Sequence, residues 1–116
     1  MTARRVRPEG NLRAGALPAG AVYVGRQCFW LRRSPYANPH TTSAKGCRPC
    51  GGQVHDQAAV VEAYREHLRR HPELVAQARA ELPGSDLACW CRLPAAGEPD
   101  LCHAAVLLAV AAGSEP

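Results

Sequence analysis

Two short strand-forming runs bracket a pair of helices in this chain, and that order leaves few folds open. Ala21, Val22, Tyr23 and Val24 make the first run, which is short, β-branched and aromatic, and is closed by Gly25-Arg26. Residues 86–91, Asp-Leu-Ala-Cys-Trp-Cys, make the second. Between them Asp56 is placed to cap a helix that runs to about Arg70, with Val60, Val61, Tyr64 and Leu68 as its buried stripe. Pro72 opens another helix at its preferred first position, with Leu74, Val75, Ala78 and Leu82 on one face, and Pro83-Gly84 ends it. Asp100 is a candidate cap for a last, apolar helix that begins near Cys102. Strands and helices in this order predict parallel strands joined by a right-handed crossover. The expected fold is α/β: a small Rossmann-like parallel sheet with flanking helices and a Cys-rich loop, with one or two further strands still to be placed.

The 116 residues suffice for one domain. Residues 1–20 carry Arg, Pro and Gly without periodicity and are expected to form a basic, poorly ordered arm, with the domain at 21–112 and a tail at 113–116. Residues 1–18 lack the apolar run of a secretory signal. The apolar segment 102–112 would extend only ~16 Å as a helix, too short to span a bilayer, so no membrane contact is expected. The net charge of +4 is unevenly spread. Residues 1–50 hold nine Arg or Lys against Glu9 alone, or +8, whereas residues 51–116 hold five against nine acids, or −4. A basic half can meet phosphates. Yet thirteen of the 14 basic residues are Arg, which GC-rich coding produces without selection for binding.

The six cysteines fall into a CxC pair and a CxxC pair, with Cys28 and Cys102 apart. With no export signal, that pattern reads as metal or thiol chemistry in a reducing compartment, and the protein is expected to be cytoplasmic. In the first constellation, strand alternation puts Leu87, Cys89 and Cys91 on one face. Cys102 and His103 then fall in the first turn of the last helix, where the helix dipole lowers a thiol's pKa, although Asp100 works against it. Open α/β sheets bind ligands beyond the carboxyl ends of their strands. Gly25, Arg26, Asn38, Cys91, Cys102 and His103 are therefore the candidate cleft. Arg26 and the helix N-terminus would hold an anion, Asn38 would orient a polar group, Cys102 or Cys91 would be a nucleophile and His103 a base. Two other readings stay open: core packing of thiols, and a metal site. The metal ranks last because adjacent residues such as Cys102 and His103 rarely ligate one ion together.

The second constellation is His40, Cys47-Arg48-Pro49-Cys50-Gly51-Gly52 and His55, four N/S ligands within sixteen residues. CxxC followed by Gly is the knuckle spacing, in which a turn aims both thiolates at one ion. A structural zinc on Cys47, Cys50, His55 and His40 would also hold a long loop in place, with Cys28 as the spare ligand. An exposed redox pair and a metal-free loop are the other readings.

These residues also carry a resemblance. The run 21–26, then Tyr36-Ala37-Asn38-Pro39-His40, the helix 60–68, and Cys89-Trp90-Cys91 with Cys102-His103-Ala104 resemble the bacterial and phage domain of unknown function numbered 4326, over about residues 20–112. The chain departs from that pattern at Tyr36-Ala37 and His40, at Arg92, and at Ala105 where the family often carries Asp. The resemblance implies a compact α/β fold with its motif residues near one pocket, and no activity. The expected function is binding, or binding and processing, of a nucleotide-like or phosphorylated ligand. The competing class is a non-catalytic, zinc-stabilised module that contacts nucleic acid or a protein partner through the Arg-rich half.

Overall fold

Leu87 and Ala88 have no exposed surface, because the strand they form is paired on both edges and covered on both faces. The computed structural model describes residues 3–7, 20–25, 34–89, 91 and 93–116. Within them lie three strands, β1 (Arg5–Val6), β2 (Val22–Tyr23) and β3 (Leu87–Ala88). The sheet order is β1-β3-β2, and both pairings are parallel. Arg5 and Val22 flank Leu87, and Val6 and Tyr23 flank Ala88. Val24 N donates to Ala88 O at 3.0 Å, and Cys89 N donates to Val6 O at 3.2 Å. The expected mixed α/β architecture with a parallel sheet is present.

Two details differ from the pattern in the sequence. A further strand, β1, lies inside the segment 1–20 that was expected to be an arm. Hydropathy hides it because Arg5 occupies a buried sheet position. Strand alternation also predicts a run to Cys91, whereas the ladder ends at Ala88. The carbonyl of Cys91 accepts from Arg5 Nη1 at 2.9 Å rather than from a neighbouring strand.

The helices form where capping and periodicity place them. Asp56 Oδ1 accepts from Ala59 N at 2.7 Å and starts α1 (Gln57–Arg70), whose buried residues are Val60, Val61, Tyr64 and Leu68. Pro72 opens α2 (Pro72–Glu81), which buries Val75 and Ala78. The last helix, α3 (His103–Ala111), buries His103, Ala104, Val106, Leu107 and Val110. It packs on α1, α2, β1 and β3, as an all-apolar helix must. Its N-cap is Cys102, not the expected Asp100. Asp100 is instead paired with the Arg5 guanidinium. Among the described residues no helix is long and apolar enough to cross a membrane.

Tyr64 joins this core to the loop before α1: it is fully buried, and its hydroxyl donates to Tyr36 O at 2.7 Å. Tyr64→Phe removes the donor and should cost about 1–3 kcal/mol in urea unfolding. An unchanged midpoint and slope would contradict that role.

Candidate functional site

The Cys-rich loop closes on itself through backbone geometry. Cys47 N donates to Gln53 O at 2.8 Å, and a single 3-10 turn, Arg48–Cys50, begins with Pro49 among its first residues. Gly46 has φ +95°, and a Cβ there would sit 2.2 Å from Gly52 O, so only glycine allows the two limbs to meet. The turn brings both thiols to His40, whose Nδ1 lies 3.4 Å from Cys47 Sγ and 3.3 Å from Cys50 Sγ. His40, Cys47, Cys50 and His55 each offer a ligand atom, all within 4.8 Å of one another. His55 Nε2 is buried with no hydrogen-bond partner among the described residues. Burial, and then the neighbouring His55, hold the His40 pKa below its ordinary value, which favours the neutral imidazole that a metal needs. The structure thus brings together all four residues expected of the knuckle, and the cluster can hold a metal ion.

The second cluster gathers at the end of β3. The sulfurs of Cys89, Cys91 and Cys102 lie within 4.8 Å of one another, those of Cys89 and Cys91 3.7 Å apart. His103 Nδ1 stands 3.9 Å from both Cys89 Sγ and Cys102 Sγ, while its Nε2 lies 2.7 Å from Val24 O. A carbonyl only accepts, so Nε2 carries a proton, and in the neutral ring Nδ1 presents its lone pair to the sulfurs. The ring is fixed edge-on by Tyr64 at 5.0 Å. Hydrogen bonding to Cys102 and then to Cys91 pulls the Cys89 thiol well below its ordinary pKa. Contacts with Cys89 and Cys91, together with burial, push Cys102 far above it.

A cavity of about 500 Å³ lies between the two clusters. Of the residues expected in a cleft, Gly25, Asn38, Cys91 and His103 line it, together with Cys89 and with His40 from the loop. Thr41, Thr42, Ser43 and Gln57 supply a polar wall that the sequence patterns did not reveal. A Cβ on Gly25 would meet the Tyr23 hydroxyl at 2.5 Å, so a larger residue at that edge would displace the Tyr23 ring. Asn38 acts on the loop itself: Nδ2 donates to Val60 O at 3.1 Å, and Oδ1 accepts from His40 N at 3.0 Å. Cys102, expected as a nucleophile, has no exposed surface and does not line the cavity, so no substrate in it can reach that sulfur. Arg26 and the spare ligand Cys28 lie outside the described residues.

A family model described as Domain of unknown function (DUF4326) matches residues 11–113. The chain belongs to that family. No curated protein and no solved structure gives a match. In this DUF4326 chain the matched span contains every Cys and His of the two clusters, whereas Arg5 precedes it.

Arg5 is the site residue that sequence patterns missed. Its side chain is 3% exposed, its Nε is paired with Asp100, and its Nη1 holds the Cys91 carbonyl. Burial opposes its charge, but Asp100 and the thiols of Cys102 and Cys91 outweigh burial and raise its pKa above the ordinary value. A lone Arg with a partner 95 residues away leaves no local signal. Asp100 is partly exposed, so Arg5→Ala should cost about 3 kcal/mol, the lower end for a broken buried pair, measured by chemical denaturation. A loss below about 1 kcal/mol, the value of a surface pair, would contradict this placement.

Proposed function

We propose that this protein binds a nucleotide-like or otherwise phosphorylated small molecule in the cavity between its two Cys/His clusters, and that a structural zinc on His40, Cys47, Cys50 and His55 holds one wall of that cavity. The observation that carries the reading is the position of the cavity. It lies beyond the carboxyl ends of β2 and β3, where Gly25 follows one strand and Cys89 and Cys91 follow the other. Open parallel sheets bind ligands there, and on this reading the layer is Rossmann-like. The volume suits a small-molecule site. Three hydroxyls and the Gln57 amide supply hydrogen bonds for sugar or phosphate oxygens. Arg26 directly follows Gly25 in the chain and is the proposed anion anchor.

Zinc fits the loop's donors. Tetrahedral zinc with its usual bond lengths holds sulfur and nitrogen ligands about 3.6 Å apart, and both thiols of the loop come close to that distance from His40 Nδ1. The ion would also partner the buried His55 ring. Free thiols in both clusters accord with a reducing compartment, and we place the protein in the cytoplasm. The reading is one of binding and assigns no reaction.

Thermal-shift titration with nucleoside mono- and diphosphates, and with inorganic phosphate, tests it. A nucleotide at a hundred times its Kd should add about 2.7 kcal/mol of stability. Arg26→Ala and Thr42→Val should each weaken binding at least severalfold without lowering the ligand-free Tm. No shift with any of these compounds would overturn the reading.

The charge asymmetry favours a second reading, a nucleic-acid contact through the basic half, where Arg4, Arg7, Lys45 and Arg48 are exposed. Binding of that kind must fall steeply with salt, log K dropping by about 0.9 per phosphate contact for each decade. Failure to bind DNA or RNA at low salt retires it.

A further inference from the structure

Three thiols that converge on one place, two of them buried in the core and Cys91 half-buried at its edge, call for an explanation beyond packing. Cys102 is fully buried, Cys89 is 6% exposed and His103 is 7% exposed. The sulfurs of Cys89 and Cys91 are 3.7 Å apart, far outside a disulfide bond, and a disulfide between any two would strand the third. Tetrahedral zinc with Zn–S bonds of ~2.3 Å sets neighbouring sulfurs about 3.8 Å apart, which matches that pair. The fourth donor faces two of the three sulfurs. His103 Nε2–H donates a hydrogen bond to Val24 O, which leaves Nδ1 facing Cys89 and Cys102. A backbone carbonyl that fixes the distal ring nitrogen is the usual support of a metal-ligating histidine.

We propose that Cys89, Cys91, Cys102 and Nδ1 of His103 form a second metal centre, for zinc or an equally thiophilic divalent ion, separate from the one in the Cys-rich loop. The adjacency of Cys102 and His103 is no obstacle. Cys102 is the extended N-cap, with φ −137° and ψ 142°, and His103 is the first residue of α3. The backbone changes direction between them, so two neighbouring side chains converge where two residues within a helix would diverge.

Charge supports the assignment. Three thiolates and a neutral imidazole on a divalent ion carry a net charge of −1. The Arg5 guanidinium, buried, paired with Asp100 and bonded to the Cys91 carbonyl, places a cation beside this centre, where it is favourable to the thiolates. Four protein ligands close the coordination shell, which makes the centre structural. It ties the end of β3 to the start of α3. Since Cys89, Cys91 and His103 also line the cavity, the ion sits in its floor. The proposal stands on residues other than those of the loop knuckle and does not require the ligand reading.

The test is zinc analysis by native mass spectrometry on the full chain, purified without chelators. The wild type should hold two zinc ions, and both the Cys47→Ser/Cys50→Ser protein and Cys91→Ser should hold one. X-ray absorption on the Cys47→Ser/Cys50→Ser protein should show its zinc bound by three sulfurs and one nitrogen. If that variant does not fold, the wild type decides: two ions sharing five thiolates should average two and a half sulfurs per zinc. A single wild-type zinc that is lost in Cys47→Ser/Cys50→Ser but retained in Cys91→Ser overturns the proposal and leaves the knuckle standing. A sole wild-type zinc with three sulfurs that survives in Cys47→Ser/Cys50→Ser and is lost in Cys91→Ser supports the proposal and removes the knuckle. A wild type without metal, or one averaging two sulfurs per zinc, overturns the proposal.

Discussion

The hydrogen bond from His103 Nε2 to the carbonyl of Val24 organises the functional end of this molecule. It is 2.7 Å long and links the first residue of α3 to the residue that follows β2, across 79 positions of chain. One bond does three things. It satisfies a buried carbonyl at the end of a strand, it fixes the tautomer of a buried imidazole, and it aims the other nitrogen at the thiols after β3. Tyr64 holds the ring from the side, and the hydroxyl of Tyr64 holds the loop at Tyr36. The geometry of the cavity floor therefore rests on contacts made by α1, α3 and β2 together.

The sheet is unusually short for the work it does, with two residues in each strand of the ladder. Such a ladder has few main-chain bonds to hold it, and a domain of this size buries a modest core. Additional ties therefore matter more than they would in a larger protein. The buried Arg5 is one, joining β1 to Asp100 and to the chain after β3. The two Cys/His clusters stand where others would be most effective, one closing the long loop before α1 and one joining β3 to α3.

What was legible in the sequence was what depends on local pattern. The buried stripe of α1 follows from 3.6-residue periodicity, and its start follows from the Asp56 cap. The four residues of the knuckle follow from spacing alone, because a CxxC turn with flanking histidines needs little from the rest of the fold. Long-range pairing was not legible. Asp100 looks like a helix cap until Arg5, from the other end of the chain, takes it. Cys102 looks like an accessible nucleophile at a helix N-terminus until the core closes over it. The pairing of Cys102 with His103 looks unfavourable for a metal until the backbone turn between an extended N-cap and a helix is known. Each reversal comes from a partner distant in sequence or from a backbone angle that composition does not encode.

In the proposed second centre the ends of β2 and β3 and the start of α3 converge on an ion. A crystal structure of the metal-replete protein, with anomalous difference maps on either side of the zinc edge, addresses it most directly. The expected result is an anomalous peak about 2.3 Å from the sulfurs of Cys89, Cys91 and Cys102 and about 2.1 Å from His103 Nδ1, with Nε2 still on the Val24 carbonyl. A map with no peak there, and with those sulfurs turned apart into the aliphatic core, would contradict it.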